Sequence, residues 1–169
     1  MVGERARAGG IKLLVMAAPP AVTLQADPRA TKQVLLNLLT NAIKYTCAGG
    51  SILVSWADTT SSLAISVADT GVGISEQALQ KIFEPFQRGD SMIANKTEGT
   101  GLGLAISRKL MELQGGALTL TSRPGVGTVA TMVLPAGRIV RPAAAHRPDP
   151  QPNAPLSAAV GRIAGQSAE

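Results

Sequence analysis

Between Asp27 and Thr46, apolar residues recur at helical spacing. Val34, Leu35, Leu38, Leu39, Ala42 and Ile43 make one broad stripe, while Asn37, Asn41 and Lys44 fall together on the opposite side with Tyr45 at the border. Asp27 can cap such a helix, and Pro28 suits its first turn, where a missing N–H costs nothing. Upstream, 11–17 and 21–25 have the composition of short strands, separated by a turn at Pro19-Pro20. Downstream of Gly49-Gly50, 51–58 and 62–69 alternate as two strands joined by a polar hairpin connection. Gly71 and Gly73 break that pattern before a short helix over 75–82, started by Ser75 and Glu76. The stretch 84–99 is polar and aperiodic and predicts a mobile loop. A second amphipathic helix over 100–114 stops at Gly115-Gly116, and 117–122 with 128–134 predicts a closing hairpin around 124–127.

Strands and helices interspersed with hairpins point to a two-layer α/β sandwich, a mixed sheet covered on one face by helices. The domain is expected over 10–135, with 1–9 a flexible lead-in. Beyond it, 136–169 holds five of the 11 prolines with Ala, Arg and Gly and no periodicity, the pattern of a disordered tail.

Composition narrows the function classes. At 169 residues there is room for one ordinary domain and a tail. No apolar run approaches the roughly 18 residues of a membrane span, and Lys12 and Pro19-Pro20 interrupt any signal-like start, so no direct membrane insertion is expected. Cys47 is the sole cysteine, which excludes an internal disulfide and favours the cytoplasm. The net charge of +5 comes from dispersed basic residues, and the four aromatics, Tyr45, Trp56, Phe83 and Phe86, are too few for a base-stacking platform; no nucleic acid partner is expected. His146, the only histidine, lies in the tail with nothing nearby to orient its imidazole.

Three constellations carry candidate chemistry. Asn37, Asn41 and Lys44 put two carboxamides and an ammonium on one stripe, a set able to orient a metal ion and meet anionic oxygens, although a solvated helix face has the same composition. Asp69-Thr70-Gly71-Val72-Gly73 follows an apolar strand; its carboxylate can accept from an exocyclic amine such as adenine's, and its glycines let backbone approach a flat ring. Gly99-Thr100-Gly101-Leu102-Gly103-Leu104 leads into a helix, exposing N–H groups and the positive dipole end to phosphate oxygens. Its likeness to a dinucleotide fingerprint is superficial, because the glycines follow a polar loop and not a strand.

Taken in order, Asn41-Ala42-Ile43-Lys44-Tyr45, Asp69-x-Gly71-x-Gly73, Phe83-Glu84-Pro85-Phe86 and Gly99-x-Gly101-x-Gly103-Leu104 resemble the N, G1, F and G2 boxes of the sensor histidine kinase catalytic domain, over about residues 10–135. The resemblance implies a Bergerat-type ATP-binding fold of the GHKL superfamily. By it, Asn41 looks like the Mg²⁺ ligand, Asn37 a support of phosphates or metal, and Lys44 a phosphate contact. Tyr45 would lie against adenine, Asp69 would read its amino group, and Gly71 and Gly73 would floor the base pocket. Gly99, Thr100, Gly101, Leu102 and Gly103 would surround the phosphates, and 84–98 resembles an ATP lid anchored by Phe83 and Phe86. Arg88 or Lys96 in the lid is better read as a solvated charge than as a γ-phosphate contact. Related ATPases usually place Glu at position 37 to activate water, whereas an amide cannot act as a base at neutral pH, so slow hydrolysis is implied.

The implied activity is transfer of the γ-phosphoryl group of Mg-ATP to a histidine, with a phosphoacceptor His domain and a downstream response regulator as partners. The family's helical hairpin with its His is missing from this chain, so it is expected to be a fragment or a stand-alone module that does not autophosphorylate alone. Two alternatives remain open: an ATP-binding regulatory module or remnant, and a serine kinase of the anti-sigma-factor kind.

Overall fold

The computed structural model describes residues 1–17, 22–87 and 100–140. The chain runs α1 (Val2–Ala8), β1 (Lys12–Val15), β2 (Thr23–Leu24), α2 (Pro28–Tyr45), β3 (Ser51–Asp58), β4 (Ser62–Asp69), α3 (Glu76–Lys81), α4 (Gly103–Leu113), β5 (Ala117–Arg123), β6 (Gly127–Pro135), a 3-10 turn (Ala136–Arg138) and β7 (Ile139–Val140). Five strands form one sheet in the order β1-β3-β4-β6-β5. Only the β1–β3 pair in this sheet is parallel; the others are antiparallel. It is the expected mixed sheet with helices on one side.

Register decides what faces those helices. Ile52 lies opposite Asp69, and Asp69 opposite Thr128, so a carboxylate sits at the end of the row that otherwise supplies Val54, Ile65, Val67, Met132 and Leu134 to the core. Onto that row α2 lays Val34, Leu38 and Ala42, and α4 lays Met111. Each such Val, Leu, Ile or Met side chain, fully buried, contributes about 1.5–3 kcal/mol. On the other sheet face Ser66 and Thr131 hydroxyls bond across strands at 2.9 Å.

Two polar anchors set α2. Asp27 caps it, its Oδ1 accepting from the N–H of Arg29 (2.8 Å) and Ala30 (3.2 Å). Buried Gln114, just past α4, accepts from the Asp27 N–H (3.1 Å) and the Thr31 hydroxyl (3.2 Å) and donates to the Leu110 carbonyl (3.2 Å). The start of α2 is thereby pinned to the end of α4.

The structure differs from the sequence reading at both ends. Residues 1–9 are not a loose lead-in but carry α1, with Ala6 only 1% exposed and Val2 against the core. A seven-residue helix offers too few apolar positions to register as a period. Residues 136–140, expected to open the tail, are structured, because β7 pairs antiparallel with β2 and Ile139 is buried. β1 stops short of the expected 11–17, where the Trp56 indole N–H takes the Met16 carbonyl at 3.0 Å and ends the ladder. The second amphipathic helix starts at Gly103 and not at 100, since Gly101 has φ 71 and interrupts helical backbone. The Pro19-Pro20 turn, the loop at 88–99 and the tail at 141–169 lie outside the described residues.

Candidate functional site

Between α2, the ends of β4 and β6, and the turn into α4 lies a cavity of about 280 Å³. Its wall includes Asn37, Asn41, Lys44 and Tyr45 from α2, Asp69 from β4, Val72, Gly73 and Ile74 after it, and Thr100, Gly101, Gly103 and Leu104 at the start of α4. Residues from three separate sequence motifs are thus brought to one space. Gly71 and Leu102 do not line it, and Gly99, Arg88 and Lys96 lie outside the described residues.

Asp69 is 7% exposed. Burial pushes its carboxyl from the ordinary 3.8 up to about 6, against the N–H groups of Gly71 and Thr128, which pull it down. Both donate to Oδ1, at 2.9 and 3.3 Å. At neutral pH the group is mostly ionised, in a cavity whose apolar lining includes Val67, Ile82, Leu120 and Ala130.

The neighbouring glycines serve close backbone contacts. Gly71 packs so tightly on the Tyr45 carbonyl that a Cβ there would stand 2.5 Å from its oxygen. Gly73 does reach the cavity, with φ 70 and the Arg123 carbonyl 2.0 Å from where its Cβ would be.

In the same lining, Asn37 Nδ2 donates to the Ser107 hydroxyl at 2.9 Å, and Asn37 Oδ1 lies against Gly103. Leu102 caps α4 without any side-chain hydrogen bond, so no cap oxygen takes the first N–H groups of that helix. Lys44 Nζ stands 4.9 Å from the Tyr45 ring centroid. Of the two expected lid anchors, Phe83 packs on the core with Arg108 over its ring at 5.0 Å. Phe86, by contrast, is 73% exposed at φ 64, with its backbone against Gly101, and most of the lid it was expected to anchor lies outside the described residues.

Ser107 and Thr128 escaped the sequence reading. Each meets its partner across elements far apart in the chain; a serine on the buried stripe of α4 was the one available signal. Among the described residues, no three of His, Cys, Asp and Glu cluster to hold a metal ion, and no helix is long and apolar enough to cross a membrane.

A mixed sheet with helices on one side, enclosing a cavity between an asparagine-bearing helix, a buried aspartate and a glycine turn, defines an ATP-binding domain of the GHKL kind. The chain belongs to the histidine kinase-, DNA gyrase B-, and HSP90-like ATPase family, whose sequence profile matches residues 26–138. It is 38% identical over 141 residues to the histidine protein kinase DivJ of Caulobacter vibrioides, covering 83% of this chain and 23% of that protein. Two solved structures are similar. Full-length ShkA in complex with AMPPNP matches with a TM-score of 0.69 and 32% identity, over 83% of this chain and 28% of that one. Histidine kinase ThkA in complex with the response regulator TrrA matches with a TM-score of 0.64 and 31% identity, over 79% and 36%. The curated relatives are much longer, the chain spanning between 11% and 26% of those it matches most strongly.

Proposed function

We propose that this domain binds Mg-ATP and presents the γ-phosphoryl group for in-line transfer to a histidine carried by another domain or protein. The observation that carries this reading is the meeting, in the lining of one cavity, of Asp69 with Asn37, Asn41, Lys44 and the uncapped start of α4. An adenine amine would donate to Asp69, whose Oδ2 is left by the two bonds on Oδ1, with the Tyr45 side chain against the ring. Phosphate oxygens would meet the first N–H groups of α4, Thr100 and Lys44, where the dipole and ammonium favour negative charge. That a complex with AMPPNP exists for the similar ShkA supports nucleotide binding by this domain.

The donor set fits Mg²⁺. Carboxamide oxygens of Asn37 and Asn41 are hard ligands, too few to hold the ion without the nucleotide's phosphates, which is how Mg²⁺ is usually bound. Once bound, it would neutralise charge on the phosphate oxygens. The protein's own part is positioning: the imidazole nitrogen attacks phosphorus, the bond to the β-phosphate oxygen breaks and ADP leaves, with α4 N–H groups and Lys44 opposing the developing charge. Asn37 has no basic lone pair to activate water, so hydrolysis is slow. A response regulator is the expected acceptor downstream, as the ThkA–TrrA complex illustrates for that kinase.

The test supplies a phosphoacceptor helical-hairpin domain and γ-labelled ATP. Acid-labile label on its histidine, lost in Asn41→Ala with the fold intact, is expected. Acid-stable label would instead indicate a serine kinase, and undiminished transfer by the variant would remove Asn41 from the mechanism.

A further inference from the structure

Ser107 belongs to none of the sequence motifs, yet it is 1% exposed and its hydroxyl accepts the Asn37 Nδ2 bond. A carboxamide is ambiguous: turned one way it offers an oxygen, turned the other an NH₂. Asn37 Oδ1 lies against Gly103, 2.5 Å from where a Cβ would stand, at the first residue of α4. There the positive end of the helix dipole favours an oxygen over an NH₂. The flipped amide would bring its NH₂, and not its oxygen, nearest that positive end.

We infer that Ser107 is a positioning residue, which anchors the Asn37 nitrogen so that the oxygen is turned to the cavity wall at the start of α4, ready for a hard cation. This rests on the function proposed above. Without the hydroxyl the nitrogen loses a partner in a buried place, and the amide has less reason to keep its orientation. A glycine at 103 is needed for the same reason, since no side chain could share that space with the Asn37 oxygen.

The test has two arms. In the nucleotide-free protein, the Asn37 side-chain NH₂ resonances, assigned by their absence in Asn37→Ala, are followed in wild type, Ser107→Ala and Ser107→Thr. Slow solvent exchange in wild type and Ser107→Thr, with faster exchange in Ser107→Ala, is expected. In the second arm, calorimetric affinity for a non-hydrolysable ATP analogue is measured with and without Mg²⁺. The enhancement by Mg²⁺ falls about tenfold in Ser107→Ala, as expected for one buried hydrogen bond. Mg²⁺-free affinity stays within about twofold, and Ser107→Thr keeps the enhancement. Equal loss with and without the ion in Ser107→Ala would mean a packing role only and overturn the inference, as would unchanged exchange. No Mg²⁺ enhancement in the wild-type protein would instead remove the metal reading itself while the exchange arm still reported on the anchor.

Discussion

The buried carboxyl of Asp69 makes the protein sensitive to pH in two opposed ways. Its folded value, about 6, stands above the ordinary 3.8. The stability it contributes is therefore fully present below about pH 4 and lost as pH rises through 6, a difference of about 3 kcal/mol. Asp69→Asn, which never ionises, is expected to unfold at higher urea than wild type at pH 8, the two converging near pH 4. Nucleotide binding runs the other way, because an amine donates to the ionised form. Affinity in calorimetry should weaken about tenfold per pH unit below 6, and in Asp69→Asn should be lower and flat with pH. The reason a site tolerates this strain is that only the charged, partly desolvated carboxylate makes a strong bond to the base. A second residue-scale test is Gly73→Ala: positive φ and the Arg123 carbonyl leave no room for a methyl, so equilibrium unfolding should show a loss of at least about 3 kcal/mol. That Asp69, Asn41 and Lys44 are candidates for one site was legible from residue type and the order of the motifs, and they line one cavity. Ser107 and Thr128 were not legible, since the Ser107 hydroxyl and the Thr128 backbone N–H gain meaning only from what the fold sets beside them.

At the scale of elements, α2 and α4 behave as a coupled pair. They share the Asn37–Ser107 bond near the cavity and the Gln114 network at the far end, so the cavity wall is braced from both sides. Gln114→Ala strands the Asp27 N–H and the Thr31 hydroxyl and should cost about 2–3 kcal/mol in thermal or urea unfolding. Elements with strong local signals were legible in outline: α2 by its Asp27 cap, Pro28 and broad apolar stripe, and α3 by Ser75, whose hydroxyl accepts from the Ala78 N–H at 3.2 Å. α1 was not. Its helix is secured by tertiary packing of Ala6 and Val2, and Gly10 at φ 65 ends it, features that a seven-residue stretch with Gly3 inside does not announce. Phe86 does not share the core packing of Phe83, being 73% exposed at φ 64.

Over the whole molecule, the layer arrangement followed from alternating strands and one-sided helices, whereas strand order did not. Nothing local requires that β6 lie between β4 and β5 or that β1 run parallel to β3; those pairings are settled by which long-range contacts bury the shared apolar row. The β2–β7 pair was hidden for the same reason, two residues on each side being too short to carry a pattern. The bond from the Trp56 indole to Met16 at the margin of the sheet gives the protein an optical property of its own. Trp56 is the single tryptophan and stands outside the cavity wall. Its emission should therefore stay constant as nucleotide fills the cavity and shift to the red when β1 peels from β3, so that fluorescence reports edge unzipping separately from ligand occupancy.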